Sequence, residues 1–191
     1  LLFLIINVGF AYLTRENSLI PVLFFSTYLQ LFSVAAGRWV HELKKPFVYL
    51  TPEPPFLKLV YLCLESICKA MLEAAVLYAA VGFVLHLSPL QITACIAMRI
   101  GFGLLLIAGN ILIERILGTI TSKAGLLILY LLIVLVLCAP GIVLGVILMS
   151  IIPSASLAFM LLTTFVWNTF ASAMVLFFCR NILNYAELND R

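Results

Sequence analysis

Apolar residues run along the chain in long blocks, interrupted at uneven intervals by short polar stretches. A helix needs about 20 mostly apolar residues to cross a hydrocarbon core. Six blocks meet or approach that length: 1–13, 19–37, 59–87, 90–113, 124–149 and 156–179. The pattern predicts an all-α integral membrane protein, a single transmembrane domain over residues 1–191 with about six spans. Thr14-Arg15-Glu16-Asn17-Ser18 stops the first block, and Pro21 stands in the first turn of the second, where a missing N–H costs least.

The fifth block carries its own interruption. Pro140-Gly141 falls inside it, followed by Gly145 and Pro153. A proline removes a helical hydrogen bond and kinks or ends the helix. Two outcomes are open. Either 126–139 is most of the span and 140–152 is re-entrant or surface-lying, forming a hairpin before the sixth span, or one long helix carries a proline kink. The Gly141 and Gly145 spacing allows close helix contact, and Gly101, Gly103 and Gly109 on the fourth block mark one face where another helix can come close.

Composition agrees with lipid contact on most sides. The 191 residues are 65% hydrophobic and 10% charged, with a mean hydropathy of +1.24. A soluble domain is about half apolar and about a quarter charged, so a soluble enzyme, a disordered chain and a disulfide-stapled module are excluded. The net charge of +3 is too mild for a nucleic-acid binder. The distribution of that charge is more informative. Arg38, Lys44, Lys45 and Lys58, then Arg115 and Lys123, then Arg180 and Arg191 all fall on one side of a six-span arrangement, against Arg15 on the other. The positive-inside rule places 38–58, 114–123 and the C-terminal tail in the cytoplasm. The chain opens on Leu1-Leu2-Phe3, as though entered within a helix, which reads as a fragment of something longer.

The longest polar connection is 38–58. Arg38 to Lys45 has Trp39, Val40 and Leu43 on one side, giving a short amphipathic helix that Pro46 ends. Pro52, Pro54 and Pro55 then stiffen the approach to the third span. One reading lays this basic loop on anionic headgroups, each cation contributing about 1 kcal/mol. The other makes it an elbow for a cytoplasmic partner, favoured by the mixed signs of Glu42 and Glu53 and by the prolines.

The third block carries Glu65, Lys69 and Glu73 at i, i+4 and i+8, on one helix face. Glu65 and Lys69 reach headgroup level. Glu73 is deeper, about 20 Å from the outer turn, and Arg99 of the fourth block is about 14 Å from it at 1.5 Å per residue. Charges at such depth usually face the bundle interior with a partner. The expectation is an interhelical Glu73–Arg99 pair, a structural tie or part of a substrate path.

Marks of membrane chemistry are few. Asp190 in the tail is the only aspartate, and His41 and His86 fall on opposite sides of the membrane. No His-based metal site is expected, and no GxSxG, HExxH or GxxxxGK[ST] motif occurs. Cys63, Cys68, Cys95, Cys138 and Cys179 lie in or beside apolar runs without a CxxC pair, as buried thiols do. A polytopic enzyme acting on lipid or peptide through Glu65, Glu73 and Arg99, or a non-transporting scaffold, remain the alternatives to a transport role.

Six spans, a stiff elbow between the second and third, and an interrupted helix before the sixth resemble the permease unit of type-two ABC exporters. The stretch His41-Glu42-Leu43-Lys44-Lys45-Pro46-Phe47-Val48-Tyr49-Leu50-Thr51-Pro52-Glu53-Pro54-Pro55-Phe56-Leu57-Lys58 is similar to the ABC exporter permeases of Gram-positive bacteria, as is Arg180-Asn181-Ile182-Leu183-Asn184-Tyr185-Ala186-Glu187. The resemblance implies a multi-pass subunit of the bacterial cytoplasmic membrane exporting a peptide, lipid-like or drug-like substrate by alternating access. It makes Arg38, His41, Glu42, Lys44, Lys45, Pro46, Tyr49, Pro52, Glu53, Pro54, Pro55 and Lys58 the ATPase-coupling elbow. It also implies a separate ABC-type ATP-binding subunit holding ATP and Mg, no cofactor on this chain, and a second permease copy or half.

Overall fold

The computed structural model describes residues 2–13, 19–35, 54–117, 123–152 and 156–180. They form six α-helices and, among the described residues, no strand. These are α1 (Leu2–Leu13), α2 (Leu19–Ala35), α3 (Pro55–Val84), α4 (Pro89–Leu117), α5 (Lys123–Ile151) and α6 (Leu157–Phe178). Four of them, α3 to α6, contain segments long and apolar enough to cross a membrane. The 12 residues of α1 and 17 of α2 rise about 18 and 26 Å, short of a core of about 30 Å. The outward surface is apolar, with Phe24 71% and Leu72 69% exposed, an inversion of the soluble pattern that only lipid can solvate.

The third span starts earlier than the sequence pattern suggests. Pro54 is the extended N-cap and Pro55 the first helical residue, where its fixed φ suits the helix and its missing N–H is no loss. The Lys58 N–H then closes the first turn on the Pro54 carbonyl at 3.2 Å. At the other end, Leu87 N–H reaches back to the Gly82 carbonyl at 3.0 Å across His86, which has φ 51°. That is a Schellman ending with a non-glycine in the left-handed position. Ser88 and Gln91 at once begin α4 with a reciprocal capping box, Ser88 N–H to Gln91 Oε1 at 3.1 Å and Gln91 N–H to Ser88 Oγ at 3.3 Å. His86→Gly removes the left-handed strain of about 1 kcal/mol. It is expected to raise the thermal midpoint of the purified protein by a few degrees.

Helix α4 is the axis of the bundle. It packs on α2, α3, α5 and α6, most extensively on α6, and supplies buried residues to all three apolar layers: Ala94 and Cys95, then Phe102 and Leu105, then Ile107 and Ile111. A helix apolar on every side is a buried one. Its glycines do not share one face, as the sequence suggested. A Cβ at Gly101 would meet Phe165 of α6, one at Gly103 would meet Gln30 of α2 and Ala70 of α3, and one at Gly109 would meet Tyr130 and Val134 of α5. At about 100° per residue these positions point in different directions, so each admits a different neighbour.

Of the two outcomes for Pro140, the structure has the unbroken helix: α5 continues through Pro140 to Ile151, and 140–152 does not form a separate re-entrant segment. A donor from α6 stands beside the break. Trp167 donates its indole N–H to the Leu137 carbonyl at 2.9 Å, one residue from Val136, whose carbonyl has lost its helical donor to the proline. Neighbouring helices that supply such donors let a membrane helix tolerate proline. Gly141 makes room for the same indole, since a Cβ there would stand 2.7 Å from Trp167 Cδ1.

Candidate functional site

Of the coupling-elbow residues, Arg38, His41, Glu42, Lys44, Lys45, Pro46, Tyr49, Pro52 and Glu53 lie outside the described residues, as does the side chain of Glu65. The elbow's last residues are placed. Pro54 and Pro55 begin α3, and Lys58 is half-buried. Between them Phe56 meets Phe177 of α6 edge-on, ring centroids 6.5 Å apart. Arg180 stacks on the other side of that junction, 4.4 Å from the Phe177 centroid, and Arg115 at the end of α4 donates to the Phe178 carbonyl. Cations at a helix C-terminus complement its free carbonyls. The elbow's exit, the end of α4 and the end of α6 are therefore joined at one place.

A second polar group lies inside the bundle. Arg99, 7% exposed, donates through Nη1 to the Ser26 carbonyl at 2.7 Å. Ser26 Oγ donates to the Leu23 carbonyl at 3.1 Å. Its single proton is thereby used, so in the 2.6 Å contact with Tyr78 the tyrosine hydroxyl is the donor. Gln30 Nε2 donates to the Arg99 carbonyl at 3.4 Å. Tyr78, Ser26 and Gln30 are all buried. Sequence reasoning singled out Arg99 and missed the other three. Ser26 and Gln30 at i and i+4 on α2 were the available signal.

The expected Glu73–Arg99 pair is not formed. Glu73 and Lys69 are exposed on α3, and Glu73 acts on Arg99 only through space. Among the described residues no carboxylate stands within ion-pair distance of the guanidinium. The helical rise matched their depths, but rotation about α3 turns Tyr78 inward and Glu73 outward. An arginine at the centre of a membrane helix costs about 2.5–3.5 kcal/mol on insertion scales. The carbonyl and hydroxyl around Arg99 offset part of that.

Between α2 and α5, over α4 and α6, lies a cavity of about 730 Å³, within the range of small-molecule sites. Leu23 and Phe24, Phe102, Leu135 and Met160 are among its lining residues. Its two hydroxyls are already engaged, Thr27 with the Leu23 carbonyl at 2.8 Å and Thr164 with the Met160 carbonyl at 3.0 Å. Below Thr164 and Cys138, the fully buried Asn168 has no hydrogen-bond partner for either amide atom. Among the described residues no cluster of His, Cys, Asp or Glu suits a metal ion.

The family model described as "Putative ABC exporter" matches residues 1–187, nearly the whole chain. The chain belongs to the ABC exporter family. It is thus a multi-pass membrane protein with a transport role, and ABC exporters work with an ATP-binding subunit. Comparison with curated proteins and with solved structures gives no match.

Proposed function

We propose that this chain is the membrane-spanning permease of an ATP-driven exporter in the bacterial cytoplasmic membrane. It performs no covalent chemistry itself. A separate ABC-type subunit binds Mg-ATP, docks on 38–58 and closes on ATP. The observation that carries the reading is the apolar cavity between α2 and α5 in a chain of the ABC exporter family. The elbow joins α2, one wall of that cavity, to α3, and its exit rests on α6, another wall, through Phe56 and Phe177.

A push on the elbow then reaches two walls at once. Movement of α2 and α6 against α5 changes which end of the cavity is open, which is alternating access in physical terms. A second permease copy or half faces the apolar surfaces of α2 and α5 and completes the path. Positive-inside charge puts 38–58, 114–123 and the tail in the cytoplasm. With both hydroxyls engaged, the lining favours hydrocarbon, as in a lipid-like or drug-like molecule, over the polar backbone of a peptide.

A tail-tagged chain purified from native membranes in mild detergent tests this reading. An ATPase with a phosphate-binding loop is expected in stoichiometric amount. Its recovery is expected to fall at least tenfold when residues 44–55 are replaced by a flexible linker. Purification without any such ATPase overturns the proposal.

A further inference from the structure

The polar group around Arg99 has hydrogen-bonding capacity that the chain does not use. The guanidinium carries five N–H groups in a planar fork. Nη1 serves the Ser26 carbonyl, while the buried Nε has no hydrogen-bond partner. Across from it, Gln30 commits its amide nitrogen to the Arg99 carbonyl and leaves its buried Oε1 unpartnered. The two hydroxyl protons of the network run from Tyr78 to Ser26 and from Ser26 to Leu23, and the Tyr78 oxygen faces the guanidinium as a neutral acceptor. Nothing in it supplies negative charge.

Unpartnered buried polar atoms are uncommon in folded proteins, and here one belongs to a buried cation ten residues into α4 and a second, Gln30 Oε1, to the side chain bonded to that residue's carbonyl. The Nε edge of a guanidinium matches the spacing of two oxygens on a carboxylate or phosphate. Gln30 Oε1 can accept from a neighbouring hydroxyl of the same ligand. The group stands at mid-span depth in a helix that begins at Pro89, where small free anions do not partition but amphiphiles do.

We infer that Arg99, with Gln30 and Tyr78, is a binding point for one oxyanion, a carboxylate or a phosphate, carried into the bundle on a hydrocarbon chain. As a statement about cargo this rests on the exporter reading; as a statement about binding it does not.

The test uses the full chain in nanodiscs of phosphatidylcholine, without ATP or partner, so its outcome is independent of whether an ATPase co-purifies. The probes are palmitate, palmitoyl lysophosphatidic acid, uncharged monopalmitin and inorganic phosphate, each read by equilibrium binding and by thermal shift. Both anionic amphiphiles are expected to bind roughly tenfold or more tighter than monopalmitin, the loss expected for one charged hydrogen bond. Arg99→Gln is expected to erase that preference, and Arg99→Lys to keep part of it.

Equal binding of charged and neutral chains overturns the inference, and so does a preference that survives Arg99→Gln. If the Arg99 variants do not fold, the wild-type thermal shifts decide: stabilisation by both anionic amphiphiles and not by monopalmitin supports the site. Stabilisation by inorganic phosphate alone to the same extent overturns the need for a hydrocarbon chain. If only one of the two anionic probes binds, the site is specific to that source, carboxylate or phosphate.

Discussion

Gly101→Val is expected to abolish recovery of folded protein. A Cβ at position 101 would lie 3.0 Å from the Phe165 ring and 3.3 Å from both its Cα and its carbonyl oxygen. A ring can swing aside, but the backbone of α6 can retreat only by parting from α4. That is the most extensive helix contact in the bundle. In a bilayer no hydrophobic driving force restores a separated pair, so close packing at small residues carries the association. Overpacking typically costs about 1–3 kcal/mol. With backbone as the obstacle and two further carbons in valine, at least the upper end applies. Gly9→Val is the control, because nothing stands within 4 Å of a Cβ there. Size-exclusion profiles of fluorescently tagged variants check the pair; a monodisperse Gly101→Val peak at wild-type yield refutes the packing account.

Trp167→Phe is expected to destabilise the protein by about 0.5–1.5 kcal/mol, the usual net contribution of one hydrogen bond. The aromatic volume is largely kept, so the loss belongs to the indole N–H that serves Leu137. The decisive result is its dependence on Pro140. In a Pro140→Ala background the helix regains the N–H that Val136 lacks, the turn closes, and the same tryptophan change costs less. A double-mutant cycle followed by denaturant unfolding in micelles is expected to give a coupling of about 1 kcal/mol or more. Additive losses would mean that the indole and the proline act independently.

These two sites also show how far the sequence could be read. The α3–α4 hairpin was legible because its signals are local: Ser88-Pro89 with Gln91 three residues after the serine, between two long apolar blocks. The fold class followed from block length alone. Pro140 was visible as an interruption but not its outcome, because the residue that bonds and packs beside the break, Trp167, lies 27 positions further along the sequence. The fate of Glu73 was hidden for a related reason. Depth follows from counting residues, whereas facing depends on how α3 is rotated against α2 and α4. That rotation is set by Tyr78, Ala74 and Leu77, all buried. In a helix apolar on nearly every side, periodicity does not say which apolar face meets protein and which meets lipid.

The central position of α4 has a consequence for how the protein is made. Most of this helix is covered in the finished bundle, yet when it first leaves the translocon it meets lipid all round, with Arg99 and three glycines in its length. Alone it is a poor candidate for lateral release. The tight capped turn at Leu85–Ser88 gives it a companion from the start, since α3 is already threaded and only four residues separate the two. Insertion as a helical hairpin shields part of the Arg99 side behind Tyr78 before α5 and α6 exist. The order of synthesis thus supplies the early shelter that the composition of α4 requires.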